Sequence, residues 1–280
     1  MADVVVRETS VRLHHGECPV WWSDGSGLRL VDMLAGDLVR VVGPDEVVRL
    51  HVGGTVAAPR PRRGGGAVLG VDDGFVLLRE DGTQELAVTD VSDADGLRMN
   101  DGSCDPQGRY WCGTIGAPVG AGALHRLDPD GTVTTVLRGV TTSNGLGWRR
   151  DGRTAYYVDS RLGRVDVLQT TPEGDVVDRR PFATPPRGTP DGLVVDEADG
   201  VWVAIWDGAG VVRFSPEGQV DRVVELPTPR VTACTLGGED LRTLYITTSR
   251  LGLEGDDGCA GAVFSVRVDV PGVPVAEFHG

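Results

Sequence analysis

Lysine is missing from this 280-residue chain: all 27 of its basic residues are arginine. That excludes chemistry built on a lysine amine, whether a Schiff base, a pyridoxal phosphate anchor or a phosphate-loop lysine. Isoleucine is scarce too, and both biases fit a GC-rich genome better than a functional demand. Aromatic residues make up only 5% of the chain, and no long apolar stripe of 3.6-residue period appears, so helices should be few. Nor is there an apolar run long enough to span a membrane. The opening residues Met1–Arg7 lack the basic region and apolar core of a signal peptide, so the cytoplasm is the expected location. Positive charge is in deficit, leaving a formal charge of −14. Such a surface repels phosphate backbones, which argues against a nucleic-acid partner. It suits cations, although solubility alone explains most of that charge. The five cysteines are an odd number without a disulfide-framework spacing, as in a reducing compartment.

What is abundant is glycine, 41 residues, much of it in Asp-Gly and Pro-rich turns of the kind short antiparallel strands need. Three segments share one shape: Asn100-Asp101-Gly102, Asn144-Gly145-Leu146 and Asp191-Gly192-Leu193. Each is followed by a turn and then a strand carrying an aromatic, namely Trp111, Tyr156 with Tyr157, and Trp202. A period of about 40–50 residues in an all-β chain points to propeller blades. Taking second strands as markers gives Leu30, Phe75, Trp111, Tyr157, Trp202 and Tyr245, spaced by 36 to 46 residues. Six units fill the chain, so the expectation is an all-β, six-bladed propeller with four-stranded blades in a single domain, 1–280. In the third unit the strands fall near Ser103–Asp105, Arg109–Thr114, Ala123–Leu127 and Thr132–Leu137. The second unit is irregular: Arg60–Gly66 reads as a loop before an inner strand at Ala67–Leu69. Its glycines lack a following helix or lysine, which argues against a phosphate site. The strands Val4–Arg7 and Ala262–Val266 should share one blade and remove a free edge.

Equivalent positions in a ring face one axis, so residues just ahead of the inner strands should meet at one mouth of the channel. Four units offer oxygen ligands there: Glu17, Asn100, Asn144 and Asp191. Taken singly, Asn or Asp before Gly is a turn former, and Glu17 is a solvated loop acid. Sharing one phase in a closed ring, they form an all-oxygen set suited to calcium, magnesium or manganese, with zinc a poorer fit. His14 and His15 read as surface or packing residues. Ser143 lacks the Gly-x-Ser-x-Gly context of a hydrolase elbow.

Several stretches resemble a known family. They are Gly16-Glu17-Cys18-Pro19-Val20-Trp21, Arg98–Gly102, Asp105–Trp111, Ser143–Trp148, Pro190–Leu193 and Gly237–Tyr245. Together they resemble the family of regucalcin (senescence marker protein), gluconolactonases and luciferin-regenerating enzyme, over nearly the whole chain. The resemblance implies one divalent metal ion, calcium before magnesium, manganese or zinc, at the mouth of the central channel. Its ligands carry over to Glu17, Asn144 and Asp191, with Asp191 also catalytic. Arg98 and Asn100 match substrate-contacting positions, so the family pattern moves Asn100 off the ion. Two departures stand out. Cys18 replaces the usual Gly, and reads as a small packed residue. The segment Ile115–Gly120 lacks the acid that animal members use for substrate contact, so sugar selectivity should differ.

The activity this implies is opening of a sugar lactone by a metal-dependent hydrolase, in a monomer or small homo-oligomer. The ion would polarise the carbonyl, and the attacking water would be placed either by the ion or by Asp191. A phosphotriester hydrolase on the same type of calcium site, and a non-enzymatic calcium-binding protein, are the alternatives.

Overall fold

Short alternating strands separated by glycine turns cannot bury both faces alone, and stacking them in a ring solves the problem. The computed structural model describes residues 4–89, 91, 96–255 and 257–280. Residues 1–3, the start of the Met1–Arg7 stretch, lie outside the described residues. The chain forms six four-stranded antiparallel sheets. Their inner strands are Gly16–Trp22, Val56–Pro61, Arg98–Cys104, Ser143–Trp148, Thr189–Val195 and Val231–Gly237, which number blades 1 to 6. Each inner strand packs on the next, and that of blade 6 packs back on that of blade 1, so the ring closes. It is the expected six-bladed β-propeller. Among the described residues the only helices are two three-residue 3-10 turns, Met33–Ala35 and Ser160–Leu162. None is long and apolar enough to cross a membrane.

The closure is as expected: Val6–Arg7 pairs with Val263–Arg267 as the outermost strand of blade 6. The C-terminal segment adds a second tie. Phe278 is buried, donates its N–H to the Pro61 carbonyl (2.8 Å) and accepts from Arg63 N–H (2.8 Å), and His279 N–H reaches the Gly108 carbonyl (3.0 Å).

Blade 2 differs from the expectation. Its inner strand is Val56–Pro61, the second is Ala67–Val71, and Phe75 lies on the third, Gly74–Leu78. Arg60 therefore sits in the inner strand and not in a loop. The residue that occupies the Trp111 position is Val68, paired with Arg60 as Trp111 is paired with Ser103. A blade without an aromatic at that position hid its own register.

Two blades share a visible local design. Asp105 ends its inner strand and accepts N–H groups of Gln107 and Arg109 (3.0 and 2.9 Å), closing the turn. Its other oxygen takes Trp111 Nε1 (2.9 Å) and the Arg109 guanidinium. Asp196 repeats this with Ala198 and Gly200 N–H (3.0 and 2.9 Å), Trp202 Nε1 (3.0 Å) and Arg213 Nε (2.7 Å). The tryptophans then pack between blades; Trp111 meets Trp148 of blade 4 edge-on at 5.0 Å.

Removing Asp105 leaves the buried Arg109 charge and an indole N–H without their carboxylate. Asp105→Ala should cost about 3–5 kcal/mol in urea unfolding, the range for breaking a buried ion pair from one side. A variant within about 1 kcal/mol of the parent would contradict this reading.

Candidate metal centre

Every inner strand loses register with its neighbour at one common depth. The breaks lie between Glu17 and Val20, Ala57 and Arg60, Met99 and Gly102, Ser143 and Leu146, Pro190 and Leu193, and Val231 and Ala233. These are β-bulges, which bend a strand and re-aim its side chains. The expected ligands therefore sit inside the inner strands, at the bulges, and not in loops ahead of them. The motif glycines also have a different role from turn formers. Gly145 keeps an ordinary φ, and a Cβ there would lie 2.7 Å from both the Asp191 carbonyl and the Leu193 nitrogen of blade 5. Gly192 likewise leaves no room for a Cβ beside Ala233 of blade 6. Glycine at these points lets neighbouring inner strands touch backbone to backbone.

Carboxylates at the ends of second strands aim the bulges. Asp32 Oδ1 accepts the N–H groups of His14 and His15 (3.1 and 3.0 Å), two residues before Glu17. Asp159 does the same for Thr141 and Thr142 (3.1 and 3.0 Å), two residues before Asn144.

The side chains that result converge from four blades. Asn100 Nδ2 donates to Asn144 Oδ1 (2.8 Å) and to the Ser143 carbonyl (2.7 Å). Asn144 Nδ2 donates to Ser160 Oγ (2.7 Å). Arg98 Nη1 donates to Asn100 Oδ1 and the Met99 carbonyl (3.0 Å each). Glu17 Oε2 accepts the Cys18 N–H at 3.3 Å. Asp191 is buried, and its Oδ1 has no hydrogen-bond partner.

Electrostatics single out the same group. Burial, and next the Asp101 carboxylate, push Glu17 from the usual 4.5 to about 8. Burial, then Glu17 and Asp101, push Asp191 well above the carboxylate range. Asp101 is itself raised by burial, with Arg60 pulling the other way. Burial also lowers Arg98, against the attraction of Glu17. Three buried acids thus crowd one point, and an unpaired buried carboxylate oxygen is costly unless a cation meets it. Glu17, Asn144 and Asp191 form an oxygen set that fits a hard divalent ion. Among the described residues no trio of His, Cys, Asp or Glu is grouped for a metal, and here the third donor is an amide. Asn100 touches Asn144 and Arg98.

The remaining candidates fall as follows. His15 is buried, its Nδ1 bonded to Ser249 Oγ (2.7 Å), and burial lowers its pKa to about 4, so it is neutral. Its Nε2 lies 3.7 Å from Glu17 Oε1. Ser143 Oγ accepts from Tyr157 Oη (2.8 Å), not from a histidine. Cys18 is buried with φ of 48°, a left-handed conformation that explains why glycine is usual there. Its thiol points at the Asn100 carbonyl (3.6 Å) and Asp101 Oδ1 (3.5 Å). All five cysteines are free thiols. Asp101 and Ser160 were missed from sequence. Asp101 could have been found as an acid in the phase where blades 4 and 5 have Gly145 and Gly192. A cavity of about 310 Å³ lies beside these bulges, and Cys18, Asp101 and the C-terminal residues 273–276 are among its lining.

Comparison with known proteins gives a consistent result. The profile of the SMP-30/Gluconolactonase/LRE-like region matches residues 15–250. The chain is 37% identical to a 6-deoxy-6-sulfogluconolactonase of Pseudomonas putida, covering 99% of this chain and 98% of that one. It is 36% identical to the pentonolactonase XacC of Haloferax volcanii, with coverages of 96% and 95%. The solved structure of a luciferin-regenerating enzyme superposes with a TM-score of 0.91 at 26% identity, covering all of both chains.

The raised carboxyl groups make a pH signature. Folded Glu17 keeps a proton up to about pH 8 that the unfolded chain loses near 4.5. The folded state then binds more protons, so stability falls as pH rises through that window. After chelation, the melting temperature should drop between pH 5 and 8, and a saturating divalent cation should flatten the slope. A slope that added cation leaves untouched would refute the assignment.

Proposed function

The chain belongs to the SMP-30/gluconolactonase/LRE-like family, and on that premise we propose that it is a metal-dependent hydrolase that opens a sugar lactone to the aldonic acid. The observation that carries this reading is the buried, unpartnered Asp191 Oδ1 within a cluster of oxygen donors, with a guanidinium and an amide alongside. The names of the two relatives at 36 and 37% identity support the substrate class.

A divalent cation, calcium by the hardness of the donors, held by Glu17, Asn144 and Asp191, supplies Lewis-acid polarisation of the lactone carbonyl. The chain's own residues do the rest. Arg98 is anchored through Nη1 by Asn100 and Met99, which fixes its planar fork, and its proposed role is to hold the sugar hydroxyls. Asn100 spends its amide on Ser143 and Asn144 and holds that orientation. Asp191 would move the proton, with one carboxylate oxygen taking it from the attacking water. The new C–O bond forms at the carbonyl carbon, the ring C–O bond breaks, and the proton passes from Asp191 to the departing ring oxygen. Neutral His15 stays out of the proton transfer, since burial holds its pKa near 4. A pure cation buffer has no use for the Arg98–Asn100 pair. The missing acid in Ile115–Gly120 shifts the choice of sugar rather than the chemistry.

A panel of γ- and δ-aldonolactones and phosphotriesters, each with calcium, magnesium, manganese or zinc, tests this. Aldonolactone turnover that depends on added cation is expected, and Asp191→Ala and Asn144→Ala should lower it by about 100-fold or more. Full activity in well-folded variants, or turnover confined to phosphotriesters, would sink the proposal.

A further inference from the structure

The side chains around Asn144 form a hydrogen-bond chain that runs in one direction only. It begins at Arg98, whose guanidinium can only donate, so Asn100 must turn Oδ1 towards it (3.0 Å). Asn100 Nδ2 then faces the Ser143 carbonyl, which can only accept (2.7 Å), and Asn144 Oδ1 (2.8 Å). That leaves Asn144 Nδ2 in need of an acceptor, and Ser160 Oγ provides it at 2.7 Å. The Ser160 hydroxyl proton is spent on the Pro190 carbonyl at 2.7 Å. With a donor-only group at one end and acceptor-only carbonyls at the other, both amides have a single satisfied orientation. Reversing Asn144 would set its NH₂ against that of Asn100.

From this geometry we infer that Ser160 is a positioning residue for the cation site. Its hydroxyl links one of the three proposed donors, the Asn144 amide of blade 4, to the peptide carbonyl immediately before another, Asp191 of blade 5. One side chain therefore holds the Asn144 oxygen towards the axis and ties the start of the Asp191 bulge to the neighbouring blade. Its backbone is fixed independently, by Ser160 N–H to the Thr142 carbonyl (3.0 Å) and Gly163 N–H to the Ser160 carbonyl (3.0 Å). Loss of the hydroxyl should therefore remove the side-chain links without unfolding the turn. The inference rests on the proposed use of Glu17, Asn144 and Asp191 as cation donors, but not on which substrate is turned over.

The test is calorimetric titration of the chelator-treated protein with calcium and with manganese, alongside melting curves of the metal-free variants. Ser160→Ala should weaken cation binding by about 10- to 100-fold, as partners that orient a ligand do. Its metal-free melting temperature should stay close to the parent's, and Ser160→Thr, which keeps the hydroxyl, should restore most of the affinity. Asp191→Ala is the control and should abolish binding. If Asp191→Ala abolishes binding while Ser160→Ala stays within twofold of the parent, the positioning role is overturned and the donor assignment stands. If Asp191→Ala binds like the parent, the donor assignment fails and the inference with it. A Ser160→Thr variant as weak as Ser160→Ala also overturns it, because the hydroxyl would then not be what matters.

Discussion

Close contact between the inner strands of neighbouring blades is the constraint on which the rest depends. Six strands cannot meet around one axis at full width, and the chain relieves this with a register break in each at the same depth. Where Asn144 and Asp191 are followed by glycine, the next inner strand occupies the space a Cβ would need. The bulge and the glycine act together: one turns an oxygen-bearing side chain inward, the other lets the adjacent blade approach. Fold and candidate site are therefore one feature, and Val6–Arg7 completes the last blade as its outermost strand.

Convergence creates an electrostatic problem that shapes the chemistry. Glu17, Asp101 and Asp191 are buried together; Asp101 raises the proton affinity of Glu17, and both raise that of Asp191. Arg98 acts on Glu17 and Arg60 on Asp101, yet Arg98 bonds to Asn100 and Met99 rather than to a carboxylate. The group is thus poised to accept either protons or a divalent ion. On the proposed reading, competition between the two would link cation binding to pH.

Much of this was legible in the sequence, for identifiable reasons. The blade count followed from the spacing of aromatic second strands, and it survived even though Phe75 belongs to a third strand. Blade 2 was misread because Val68 replaces an aromatic and because Arg60–Pro61 looks like a loop, although proline is tolerated beside a bulge. Shared phase brought Glu17, Asn100, Asn144 and Asp191 to one place, and the hydrogen bonds among Arg98, Asn100 and Asn144 agree with it. What periodicity could not give was the meaning of the glycines. A turn glycine and a close-packing glycine look alike in one dimension, and only the neighbouring blade tells them apart. Ser160 was invisible for a similar reason: its partners lie 16 and 30 positions away in sequence.

The most direct test of the central claim is an anomalous difference map from crystals of this protein soaked in manganese. The account predicts one strong peak within coordination distance of Asp191 Oδ1, Asn144 Oδ1 and a Glu17 carboxylate oxygen. A clear map with its peak elsewhere, or with none at saturating manganese while Asp191 Oδ1 stays without a cation, would contradict it.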